Sequence, residues 1–170
     1  MARLPYADPN QPDIAPLVRR IEGERGKVLN LYRMLLHSPP VAEGWLALFT
    51  AIRQKGTLSG RIRELVILRI AVINGADYEF AQHVPFALAE GITQLQLDAL
   101  RAGNADGFSP LEQSVVAYAD SMTRDVHVPD AVFDAVKPHF SERELVELTA
   151  TIAGYNLVSR FLEALQIDHE

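Results

Sequence analysis

The 170 residues carry 48% hydrophobic side chains, 10 glycines, 10 prolines and a net charge of −6, from 16 Lys+Arg against 22 Asp+Glu. That profile suits one globular domain over residues 1–170, excludes collagen-like and low-complexity chains, and offers no basic face on which to wrap a nucleic acid. Cysteine is absent, so disulfides, cysteine-ligated zinc and every thiol-based mechanism are excluded.

The first thirteen residues, MARLPYADPNQPD, hold no charged-then-apolar signal pattern. Pro5, Pro9, Pro12 and Pro16 make this stretch an extended arm. The longest apolar runs, Leu65 to Leu68 and Ile70 to Ile73, fall far short of the roughly 20 residues that span a bilayer. The expectation is a cytoplasmic protein with no membrane or nucleic-acid partner.

Helical patterns follow one another from there. Ile14 to Glu24 places Ile14, Leu17, Val18 and Ile21 on one stripe. A short piece around Leu29 to Leu35 is ended by Pro39 and Pro40. Val41 to Gln54 buries Trp45, Leu46, Leu48, Phe49 and Ile52. From Leu65 to Ile73 only Arg69 interrupts the apolar residues. Periodicity alone fits either a buried strand or a buried helix here. No other segment offers a partner strand, and a lone strand would leave its backbone groups unpaired, so a central helix is expected. Asn74-Gly75 ends it, and Asp77 is expected to cap the next helix, Tyr78 to Glu90. Thr93 caps Gln94 to Arg101, Ser109-Pro110 opens another helix, and Pro129 starts a short one. Ser141 with Glu144 forms a capping box for a last helix running to about Gln166. The fold class is all-α.

Three polar residues fall where a helical bundle disfavours them. Glu64 opens the most apolar helix, and a carboxylate taken into a core is costly unless paired or protonated. Glu79 and His83 lie four apart on the following helix and share a face. The tight Asn74-Gly75 turn makes the two helices antiparallel neighbours. At 1.5 Å per residue, Glu64 and His83 then lie at comparable heights, roughly 12–15 Å from the hairpin tip. Glu64 is therefore expected to reach His83. The pair reads either as a carboxylate–imidazole relay with Glu79 as a second acid or base, or as a polar lock on helix register.

Arg61 lies at the spacing to pair with Glu64, while Arg63 or Arg69 could hold a substrate carboxylate. Arg69 is explained equally by snorkelling to a subunit surface. Asn156 and Arg160 share a face of the last helix, lining the pocket or clamping a subunit interface. Arg63, Tyr78 and Arg160 are the expected substrate contacts. Pro85 removes a backbone donor two residues beyond His83 and is expected to kink its helix. The five histidines show no ligand-like grouping, so neither a metal nor another cofactor is expected.

The stretch ELVILRIAVINGADYEFAQHVPFALAEG, Glu64 to Gly91, resembles the carboxymuconolactone decarboxylase family, which includes the alkylhydroperoxidase-like proteins. Its pattern is a glutamate, an apolar helix, a short turn, Cys-x-x-Cys and a histidine four residues on. The glutamate falls at Glu64 and the histidine at His83, and GYNLVSRFLEAL resembles the family's C-terminal helix. The resemblance implies an alkylhydroperoxidase-like helical bundle and a homo-oligomer, a trimer or hexamer. The peroxidase branch carries cysteines where this chain has Ala76 and Glu79, so peroxide reduction by thiols is not expected. What the resemblance implies instead is cofactor-free acid–base chemistry on a small organic acid or lactone, with His83, Glu64 and Glu79 catalytic. A peroxidase relative lacking its thiols and a non-catalytic small-molecule-binding oligomer are the alternatives.

Overall fold

The computed structural model describes residues 1–170 and contains nine α-helices and no strand. Its Cα framework falls into two compact units, Met1–Lys55 with Leu162–Glu170, and Gly56–Phe161. No helix is long and apolar enough to cross a membrane.

The first unit opens with the proline-rich arm and contains α1 (Ala15–Arg25), α2 (Asn30–Leu35) and α3 (Pro39–Thr50), the last continuing into a π turn over Ala51–Lys55. Pro39 and Pro40 lie in the first turn of α3, where the missing amide hydrogen is harmless; α2 has already ended at Leu35. Trp45, Leu46 and Phe49 are buried as expected, but Leu48 is 44% exposed. It lies about 120° round the helix from the middle of the buried arc, too far to share it. The Arg25 guanidinium donates to Tyr32 Oη at 3.0 Å and to Thr50 Oγ1 at 2.9 Å, tying α1 to α2 and α3. The arm runs without helix and binds the C-terminal tail. Arg3 N donates to Leu165 O at 2.9 Å, and Ala2 N to Asp168 Oδ2 at 3.0 Å.

The second unit contains α4 (Gly60–Asn74), α5 (Asp77–Ala89), α6 (Gln94–Arg101), α7 (Pro110–Arg124), α8 (Asp130–Val136) and most of α9 (Glu142–Leu165). Helix α4 is its axis: Leu65, Val66, Ile67, Leu68 and Ile70 have no exposed surface. Ser59 caps it, accepting from Ile62 N. Its C-terminus turns at Gly75, whose φ of +67° only glycine adopts at little cost. Ala76 N donates to Ala71 O at 2.8 Å and Gly75 N to Val72 O at 3.3 Å, closing the Schellman turn that reverses the chain into α5. The expected cap at Asp77 is displaced: Asp77 is the first helical residue, and Ala76 occupies the cap position without a side-chain bond. The acid still faces the positive end of the helix dipole there. Around α4 and α5, Leu65, Leu68, Phe80, Ile92, Leu97, Phe108 and Val116 form one apolar cluster.

Candidate active site

The α4–α5 hairpin brings Glu64 and His83 together. His83 Nδ1 lies 2.6 Å from Glu64 Oε2, with the Glu64 side chain 1% and the His83 side chain 8% exposed. The bond fixes the ring orientation and engages Nδ1; with Glu64 ionised, a carboxylate only accepts and the proton sits on Nδ1. The second oxygen of Glu64 accepts from Arg63 Nε at 3.3 Å. Arg63 in turn approaches Glu90 Oε1 at 4.0 Å. The buried carboxylate is thus compensated from both sides, which is the condition for carrying a charge in a core.

Aromatic rings fix the imidazole from two directions. Tyr155, from α9, meets it edge-on with centroids 5.1 Å apart and planes at 88°. Phe86, one turn further along α5 and half exposed, lies 5.9 Å away at 51°. Glu79, one turn before His83, is buried and accepts from Ser159 Oγ at 3.0 Å. Helices α5 and α9 therefore run past each other with His83 matched to Tyr155 and Glu79 to Ser159.

The remaining expected residues fall elsewhere. Arg61 bonds Glu112 Oε1 at 2.6 Å and Gly91 O, not Glu64. Glu112 also accepts from Ser109 N at 2.8 Å; although burial pushes its carboxyl up, these bonds and Arg61 hold it below the usual carboxylate range. Arg69 does not snorkel. It makes a two-pronged bond to Asp120 at 2.7 and 2.6 Å, which raises its pKa against the opposing effect of burial. Tyr78 is buried about 140° round α5 from His83 and so lies off the face that carries the histidine. Arg160 NH1 donates to Asn156 O at 3.2 Å and to its Oδ1 at 2.9 Å. Asn156 is itself held by Thr123 at 2.9 Å and Asn74 at 3.1 Å. Helix α5 continues through Pro85 to Ala89. No three His, Asp or Glu side chains converge in the manner of a metal site.

Ser159 and the Asn74–Asn156–Thr123 bridge escape sequence reading. The available signal is weak: Tyr155 and Ser159 lie four apart in an apolar helix, the same spacing as Glu79 and His83 on the helix they meet.

Comparison with known proteins agrees with this architecture. The profile of the carboxymuconolactone decarboxylase family matches residues 39–121. The uncharacterized protein YdfG of Bacillus subtilis (strain 168) is 26% identical over 115 residues, 66% of this chain and 78% of its own. A solved alkylhydroperoxidase AhpD core, a peroxidase-related protein from Ralstonia eutropha JMP134, superposes with a TM-score of 0.83 at 20% identity, covering 99% of this chain and 92% of that one. A cysteine-to-alanine form of the debrominase Bmp8, in complex with 2,3,4-tribromopyrrole, gives 0.80 at 19% identity, covering 100% and 94%. At these identities the solved structures establish the fold, an alkylhydroperoxidase-like helical bundle. The segment that matches the carboxymuconolactone decarboxylase family holds both the buried glutamate and its histidine, and the sequence carries no thiol.

Proposed function

We propose that the protein is a cofactor-free acid–base enzyme, a decarboxylase or related lyase or isomerase acting on a small organic acid or lactone. The observation that carries this reading is the 2.6 Å bond between two almost fully buried side chains, His83 and Glu64. In the proposal Glu64 holds Nδ1, so Nε2 is the nitrogen assigned to the substrate. Arg63, which donates to Glu64, is the cation assigned to a substrate carboxylate. Glu79 is a second proton carrier one turn away. Tyr78 and Arg160 have no part in it.

The chemistry balances without a further reactant. In decarboxylation the bond to the carboxyl carbon breaks, carbon dioxide leaves, and the electron pair is delocalised as an enolate into the neighbouring carbonyl. Protonated His83 then delivers its proton to carbon and recovers one from solvent. In isomerisation the same nitrogen removes a proton and returns it to a different carbon. Proton transfer by a positioned side chain contributes about 10²–10⁴ in rate. Thiol-dependent peroxide reduction lacks its nucleophile in this chain, and likeness to a debrominase extends to fold alone.

The test begins with a thermal-shift screen of small carboxylic acids and lactones, followed by turnover assays on the hits. His83→Ala is expected to lower kcat by about 10²–10⁴, with Glu64→Gln lowering kcat while leaving the hit's affinity close to wild type. Full turnover by both variants would overturn the proposal. Binding without turnover by the wild type would replace it with a non-catalytic binding role. A peroxide-consumption assay with a thiol reductant is expected to show none.

A further inference from the structure

Arg63 stands between two carboxylates. Its Nε donates inward to Glu64 Oε1 at 3.3 Å, and its NH2 lies 4.0 Å from Glu90 Oε1, at the C-terminal end of α5. The inner acid is 1% exposed and bonds His83, whereas the outer one is 43% exposed. The inward edge of the guanidinium is thus taken by a buried acid. The edge that faces Glu90 is left for a carboxylate arriving from solvent.

Glu90 is held loosely in that place. Its backbone is anchored, since Glu90 N donates to Phe86 O at 3.0 Å and the next carbonyl, of Gly91, accepts from Arg61. Its carboxylate meets Arg63 only at 4.0 Å, beyond hydrogen-bond distance. Room for it comes from Gly60, the first residue of α4, where a Cβ would fall within the Glu90 carboxyl group. Alanine would be the better helix former at that position. The missing side chain instead seats an acid at the positive end of α4, beside Arg63.

We infer that Glu90 is a specificity-determining residue of this site: its carboxylate stands where a substrate carboxylate would meet Arg63, and an acid that binds there displaces it. The inference rests on the assignment of Arg63 to the substrate carboxylate. An incoming acid exchanges one ion pair for another, gains little, and meets the displaced charge beside it. A neutral lactone has no carboxylate to place on Arg63 and leaves Glu90 in its seat. Glu90 therefore shifts the preference of the site from a free acid toward the uncharged, ring-closed form of the same skeleton. An acid that binds well must add contacts beyond its charge, such as a bond to His83 Nε2.

The test uses two ligands that differ only by ring closure, sodium 4-hydroxybutyrate and γ-butyrolactone. Each is titrated into the full chain at constant ionic strength and followed by proton–nitrogen NMR. Glu90→Gln is expected to bind 4-hydroxybutyrate about two- to fivefold more tightly than wild type, the range that one exposed ion pair spans. Its affinity for γ-butyrolactone is expected to stay the same. Gly60→Ala keeps the charge but denies the carboxylate its seat, and is expected to act in the same direction. If Glu90 only props Arg63 in place, both variants will weaken acid binding. That result, or equal affinity in all three proteins, overturns the inference and leaves the acid–base reading of Glu64 and His83 standing. Adding Arg63→Gln to Glu90→Gln is expected to abolish the gain. Acid binding that ignores Arg63→Gln would overturn the assignment of Arg63 and this inference with it.

Discussion

Glu147, half-buried near the start of α9, accepts four hydrogen bonds. Its Oε2 accepts from Thr57 N at 2.6 Å, Thr57 Oγ1 at 3.0 Å and Leu58 N at 2.8 Å, while Oε1 accepts from Arg143 Nε at 2.9 Å. Partial burial pushes the carboxyl up, but these bonds outweigh it and bring the pKa from the ordinary 4.5 down to about 2. A folded-state value below the unfolded one means that the ionised side chain stabilises the fold above about pH 5. That contribution fades as pH falls toward 2 and the carboxyl is protonated in both states. Glu147→Gln is accordingly expected to lower Tm at pH 7 and to converge on wild type in melts taken near pH 2. A gap that stays constant across that range would show that the charge does not matter. Glu147 could not be singled out from sequence, because apart from Arg143, four residues before it, its partners lie about 90 residues away and two of them are backbone amides. Separations of 80 and 51 residues likewise hide Ser159 from Glu79 and Glu112 from Arg61. Glu64 and His83 were legible because a two-residue turn separates their helices, and counting back from it fixes their relative height.

Local chemistry made the elements readable wherever the start signal is a side chain. Thr93 and Ser109 each exchange bonds with the residue three positions on, Gln96 and Glu112, and Ser141 does so with Glu144. Boundaries set by backbone geometry were less legible, as the one-residue shift of the α5 cap to Ala76 illustrates. The end of α7 is another such case. Val126 adopts φ +65° while 82% exposed, a conformation in which a β-branched side chain crowds the backbone. Relief of that crowding is worth about 1–2 kcal/mol, part of which glycine returns through the greater freedom of its unfolded chain. Val126→Gly is therefore expected to raise stability by a net ~0.5–1 kcal/mol, a Tm increase of roughly 1–4 °C in a protein of this size. Val126→Ala removes the branch but keeps the Cβ and is expected to gain less than glycine, so differential scanning calorimetry on the two variants separates relief of strain from mere loss of an exposed apolar group.

For the molecule as a whole, periodicity predicted helices throughout, and the all-α bundle follows from it. Periodicity is silent on how a helix that is apolar all round chooses its neighbours. In the larger unit one buried charge marks the choice. Arg69 interrupts the apolar run of α4 and is 4% exposed, and its two-pronged bond to Asp120 orients α4 against α7. Removing the acid strands a guanidinium in the core, whereas removing both charges leaves apolar surface on either side. Asp120→Ala is thus expected to cost ~2–3 kcal/mol, less than breaking a fully buried pair costs because the Asp120 side chain is 26% exposed. The double variant Arg69→Met with Asp120→Ala is expected to recover most of that loss. Urea melts of the four proteins in the cycle measure the coupling directly. If the double variant is as unstable as the sum of the two single ones, the pair is not what aligns the helices. Alignment must then come from the packing of Leu65, Leu68 and Val116 around it.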